Sequence, residues 1–119
     1  MLKPFHLRDS EAHKRLLQLA EADGHRSVPE FFAEEPNRFE AMHAETLGIL
    51  MDWSKQRISA ATMNALYDLA SEADWKDGRK ALFSGAAINQ TEGRAVLHMA
   101  LRADEGDIFE VNDSDVMPS

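Results

Sequence analysis

The chain has 119 residues, 21 acidic against 13 basic, and a formal net charge of −8, which disfavours a nucleic-acid backbone or an anionic membrane surface as partner. The absence of cysteine excludes a disulfide scaffold and thiol chemistry and fits a reducing compartment, so a cytoplasmic location is expected. The length is one domain's worth, no apolar run approaches the ~18 residues of a membrane span, and Met1-Leu2-Lys3-Pro4-Phe5 lacks the apolar core of a signal peptide.

Ser10 ahead of Glu11 predicts a capped helix start, and Ala12, Leu16, Leu19 and Ala20 recur at helical spacing up to Gly24, where a left-handed stop is expected. Ser27-Val28-Pro29-Glu30 predicts a capping box with proline in the first turn, opening a short helix with Phe31 and Phe32 that ends by Pro36. The run Leu47-Gly48-Ile49-Leu50-Met51 is too short for an ordinary helix and contains a glycine. A buried strand is therefore expected over residues 47–53, with Asp52 and Ser54 turning the chain. A longer helix is predicted from Ser59 to Ala73, its apolar face formed by Met63, Leu66, Tyr67 and Ala70. Another spans Trp75 to Ser84 through Trp75, Arg79, Leu82 and Phe83, with Gly85 placed as its left-handed end. Val96, Leu97, Ala100 and Leu101 form one more short apolar stripe. Residues 108–117 alternate around Asn112-Asp113, two residues that tolerate the positive φ of a tight turn, and predict a C-terminal hairpin. The expected fold class is mostly α with minor β.

Four charged residues invite a catalytic reading. Arg94, His98 and Arg102 fall at i, i+4 and i+8, which places all three on one face of a short helix, and Glu92 with His98 is the minimum equipment for acid–base chemistry. The plainer reading, that they cap and anchor a short helix, is favoured, because a site also needs a pocket and a positioned partner. His6, His13, His25, His43 and His98 show no close ligand spacing. Asp104, Glu105, Asp107, Glu110, Asp113 and Asp115 lack the order of a calcium loop, and Ser84-Gly85-Ala86-Ala87 lacks the Gly-Lys-Ser/Thr ending of a phosphate loop. No catalytic, substrate-binding or metal residue is assigned, and no cofactor is expected.

Three separated blocks carry a resemblance. Phe83-Ser84-Gly85, Ile88-Asn89, Thr91-Glu92, Arg94-Ala95-Val96-Leu97-His98 and Ala100-Leu101-Arg102 form the first. Asp115-Val116-Met117-Pro118 follows, and Leu50-Met51-Asp52-Trp53-Ser54-Lys55 precedes them. In this order they resemble the N-terminal part of glucose-6-phosphate isomerases, with Trp53 where the family has Tyr. Ala86-Ala87 and Ala103-Asp104-Glu105-Gly106 depart from the family pattern, so interfaces carried over at those places are less secure.

The resemblance implies that residues 1–119 are a single helical N-terminal segment of a larger α/β enzyme with a sugar isomerase-like domain. Such an enzyme interconverts glucose 6-phosphate and fructose 6-phosphate in glycolysis and gluconeogenesis, without metal, by ring opening and enediol proton transfer. It further implies that the Gly-Gly-Ser turn, the Ser/Thr-rich phosphate loop and the catalytic Arg, Glu, His and Lys lie beyond the equivalent of Ser119. The chain alone is then expected to be inactive, and its sugar-phosphate substrate to bind only the full-length enzyme. The Val96 to Leu101 stripe and the terminal hairpin are expected to face a missing body, and a homo-oligomer to form by covering Val96, Leu101, Ile108, Phe109 and Val111. Two other classes stay open: a non-enzymatic helical binding or assembly module on the same scaffold, and an unrelated small enzyme using Glu92 and His98.

Overall fold

Serine residues cap the helix starts at Ser10, Ser27 and Ser59, and two tight turns fold extended segments into hairpins. The computed structural model describes residues 4–89 and 91–117. Among these residues the secondary structure is mostly helical, with two separate two-stranded antiparallel sheets. The contacts divide the chain into two units, one of residues 6–69 and one of residues 70–117 together with residues 4 and 5.

In the first unit a short 3-10 turn, Leu7–Asp9, leads into helix α1, Glu11–Asp23. Ser10 caps it as expected, its hydroxyl accepting the His13 N–H at 2.9 Å. Gly24 departs from expectation, with a right-handed φ of −63°. The exit is set by Asp23 instead: its carbonyl accepts the Arg26 N–H and its carboxylate accepts the Arg26 guanidinium, both at 3.0 Å. Helix α2, Val28–Glu34, starts where the Ser27 N–H and Ser27 hydroxyl both donate to Glu30 Oε2 at 2.6 Å. That donation, led by the hydroxyl, holds the Glu30 carboxyl below its ordinary range. A four-residue helix α3, Arg38–Ala41, follows without having been foreseen.

The apolar run near residue 50 corrects a second expectation. Strand β1, His43–Thr46, pairs with strand β2, Ile49–Asp52, and Leu47-Gly48 form the turn between them. Both turn residues have positive φ, 51° and 73°, the geometry that matches the twist of a two-residue hairpin. The strand is exposed rather than buried, because the two-stranded ribbon is covered by no further layer among the described residues.

Helix α4, Ala60–Glu72, contributes to both units. Ala65 is its buried residue, and of the expected apolar face Met63 and Ala70 are half-buried, like Ala61 and Leu69, whereas Leu66 and Tyr67 are exposed.

In the second unit helix α5, Trp75–Phe83, ends at Gly85, which has φ of +69°. An added Cβ there would sit 2.4 Å from the Glu110 carbonyl oxygen, so the glycine is required by close passage of the terminal hairpin as well as by its own conformation. That hairpin pairs β3, Glu110–Val111, with β4, Ser114–Asp115, through Asn112 and Asp113 at φ of 52° and 60°. The Asp115 carboxylate accepts the N–H groups of Phe109 and Met117 and braces its base. The stripe expected over 96–101 forms only a 3-10 turn, Ala100–Arg102. Four apolar residues give too little gain to offset helix nucleation, and Asn89 and Arg94 are already paired backbone to backbone. Of the five residues expected to be covered by a partner, Leu101 and Ile108 are exposed, whereas Val96 and Val111 are half-buried and Phe109 is buried within this chain.

Ala12, Phe31, Met42, Ala65 and Phe109 are the buried apolar residues among those described. For a chain that is 44% hydrophobic, such a short list leaves many large apolar side chains on the surface.

Candidate functional site

The structure separates the charged quartet. Gly93, with φ of +63°, turns the chain so that the Asn89 and Arg94 backbones exchange hydrogen bonds at 3.1 and 3.2 Å. Glu92 belongs to this turn: Asn89 Nδ2 donates to its carboxylate, and Asn89 Oδ1 accepts from the Glu92 N–H and the Thr91 hydroxyl. His98 is exposed, and its carbonyl accepts from Arg102 at 3.3 Å. With no helix from 94 to 102, the common face that sequence spacing suggests for Arg94, His98 and Arg102 does not exist. Each is occupied with local backbone geometry or solvent.

The other candidates are equally local. Ser84 donates to the Ala81 carbonyl at 3.2 Å, and Gly85 packs against the hairpin, so this segment serves the end of α5. Asp104, Glu105, Asp107 and Asp115 line an open depression of about 630 Å³ with Leu101 and Ile108. Asp107 accepts from the Asp104 N–H at 3.0 Å, which closes the loop on itself. Among the described residues no three histidine or carboxylate side chains come together as metal ligands. His43 stacks on Phe39 with ring centroids 4.5 Å apart, and its Nδ1 lies 2.7 Å from the Phe39 carbonyl.

The most elaborate polar arrangement is one that sequence reasoning missed. Arg38, 1% exposed, donates from Nε to the Ser54 carbonyl at 2.6 Å and from Nη2 to the carbonyls of Gln56 and Ile58 at 2.7 and 2.8 Å. Nη1 pairs with the Glu35 carboxylate. The guanidinium also lies 4.8 Å from the centroid of the Phe31 ring, a cation–π distance. Opposite it, Ser54 is wholly buried, and its N–H and hydroxyl donate to Asp52 Oδ1 at 2.8 and 2.6 Å. The Lys55 ammonium, and after it the two Ser54 donors, hold the Asp52 carboxyl well below the usual carboxylate range. Arg26 pairs with Asp23 and Glu34, and Asp23 chiefly pushes its guanidinium further above its ordinary value.

A buried guanidinium with every donating nitrogen engaged has nothing left to offer a substrate. It fixes the three carbonyls of a loop that has no regular hydrogen bonding of its own. The only signal in the sequence is an arginine set among Phe31, Phe32 and Phe39, which periodicity does not separate from a surface arginine.

These features define a mostly helical segment in which Arg38 and Arg102 donate to carbonyls of its own backbone. Residues 52–119 match the family model described as phosphoglucose isomerase. The chain is 45% identical over 92 residues to the glucose-6-phosphate isomerase of Pseudomonas fluorescens, covering 77% of this chain and 17% of that protein. The corresponding proteins of Anaeromyxobacter dehalogenans and Caulobacter vibrioides are 44% and 45% identical over 89 and 95 residues, which make up 75% and 80% of this chain but 16% and 18% of theirs. The chain belongs to the phosphoglucose isomerase family and spans about a sixth of the length of these relatives.

Proposed function

We propose that this chain is the N-terminal scaffold segment of a cytoplasmic glucose-6-phosphate isomerase. That enzyme would interconvert glucose 6-phosphate and fructose 6-phosphate through ring opening and an enediol, with the phosphate-binding and catalytic groups supplied by polypeptide this chain does not contain. The observation that carries the reading is the family match over residues 52–119 combined with coverage of only 16–18% of the relatives. The local occupation of Glu92, Arg94, His98 and Arg102 supports a scaffold role against a small enzyme built on those residues. No helix among the described residues is long and apolar enough to cross a membrane.

A coupled assay on the purified 119-residue chain is expected to give no isomerase turnover above a buffer blank, and measurable turnover would overturn this assignment. Reading the coding sequence past Ser119 is expected to show an in-frame continuation with a Gly-Gly-Ser turn and a Ser/Thr-rich loop. An immediate stop would instead favour a non-enzymatic assembly module that associates with itself through the apolar side chains left exposed, such as Leu101 and Ile108.

A further inference from the structure

The hairpin of β1 and β2 has two chemically different faces. Cross-strand partners share a face and alternate residues share a face, so the register Thr46↔Ile49 and Ala44↔Met51 places those four together. Glu45↔Leu50 and His43↔Asp52 occupy the other side. That side carries one exposed apolar residue, Leu50 at 54%, among His43, Glu45 and Asp52, and is tied to its own chain through His43 at Phe39 and Asp52 at Ser54 and Lys55. On the apolar side Ile49 is 66% and Met51 65% exposed, and Leu47 at the tip is 95% exposed. A sheet patterned apolar on one face is a sheet meant to have a layer over that face.

The comparison with relatives indicates where the layer comes from. The alignment with the Pseudomonas fluorescens protein takes in 92 of 119 residues. At most 119 − 92 = 27 therefore lie outside it, and residues 28–92 fall inside wherever it begins. The hairpin at 43–52 is thus part of what this chain shares with a protein in which the shared 92 residues make up only 17% of the length. We infer that the Ala44, Thr46, Ile49 and Met51 face is the docking surface for the remainder of the isomerase polypeptide, which covers it with an apolar layer. This rests on the proposed function above and adds to it the surface by which the segment is held.

The test grafts this chain in place of the matching segment of the Pseudomonas fluorescens enzyme and assays the full-length chimera. The parent chimera is expected to be active. Ile49→Lys with Met51→Lys is expected to lower the recovered activity about tenfold or more, since buried ammonium groups without partners are among the costliest substitutions. Glu45→Lys, on the opposite face, is expected to leave it unchanged. In the isolated 119-residue chain the same double lysine variant should keep the parent's thermal midpoint, because the face is already wet there. An active chimera indifferent to the two lysines would overturn the docking surface while leaving the proposed function standing. A drop in the midpoint of the isolated chain as large as in the chimera would show that the face belongs to this chain's own fold, and would also overturn it. Intact subunits that merely run as a smaller assembly would assign the face to a second copy instead. An inactive parent chimera would overturn the proposed function and the inference with it.

Discussion

Residues 35–58 and residues 89–107 both carry arginines and carboxylates in irregular chain, yet they use them in opposite ways. In the first, Arg38 is buried and reaches carbonyls 16 to 20 residues away. In the second, every bond made by Asn89, Glu92, Arg102 and Asp107 spans five residues or fewer. A charge that closes a long loop replaces many lost water contacts and must be satisfied completely, whereas a charge that bonds its neighbours stays solvated and contributes little. The lesson is that chemical suggestiveness in a sequence and energetic weight in the structure fall on different residues.

The comparison breaks most visibly at Arg38. Arg38→Ala removes the donors to three carbonyls and the partner of Glu35, so a loss of about 3 to 5 kcal/mol is expected, the range for removing one partner of a buried pair. Arg38→Lys keeps the charge but not the fork and should recover only part of it. Urea denaturation of the isolated chain measures both, and an Arg38→Ala variant as stable as the parent would remove the contrast between the two regions.

Ser54 and Asp52 give the next effect. Ser54→Ala deletes the buried hydroxyl bond to Asp52 and is expected to cost about 1 kcal/mol. Because folding lowers the Asp52 pKa, the unfolded chain takes up the proton more readily. The stabilisation is complete above the unfolded carboxylate value of about 4 and is lost as pH falls through the lower folded one. Urea midpoints recorded from neutral pH downward should therefore fall more steeply for the parent than for Asp52→Asn, whose side chain does not titrate.

A smaller effect of opposite sign sits at the tip of the same region. Leu47 adopts φ of +51° and is 95% exposed, so the left-handed conformation strains its Cβ while its side chain gains no burial. Leu47→Asn should stabilise the isolated chain by about 0.5 to 1 kcal/mol, since Asn tolerates this conformation and favours the two-residue turn. A rise in thermal midpoint would verify it.

These residues also mark how far the sequence could be read. Ser10, the Ser27 and Glu30 pair, Gly85 and the Asn112-Asp113 turn were legible because each acts within a few positions through a residue type suited to little else. Leu47-Gly48 was read as strand because leucine rarely takes positive φ and an unbroken apolar run carries no mark of where it folds back. The face of α4 was legible only in part: Met63 and Ala70 are half-buried, but Ala65 is buried while Leu66 and Tyr67 are exposed, because neighbours rather than hydrophobicity decide which side chains are covered. Arg38 was invisible for the same reason, since its partners at 54, 56 and 58 are neighbours only after folding. The candidate site was over-read in one respect, in that spacing at i, i+4 and i+8 has meaning only if a helix exists to carry it.

The smallest effect is expected where the sequence was most suggestive. Arg94, His98 and Arg102 are exposed and none forms an ion pair among the described residues. Arg102 donates one bond at 3.3 Å to the His98 carbonyl, and the bridge at Arg94 uses its backbone, which any side chain except proline retains. Replacing any one of them by alanine should shift stability by no more than about 0.5 kcal/mol, the usual range for surface positions without special geometry. Each change also removes a positive or titratable group from a chain of net charge −8, which favours a slight loss over a gain through repulsion that ordinary salt largely screens. Thermal midpoints at low and physiological salt separate these contributions. A triple variant that loses as much as Arg38→Ala would show that the segment from 94 to 102 makes long-range contacts after all, and would erase the distinction between the two regions.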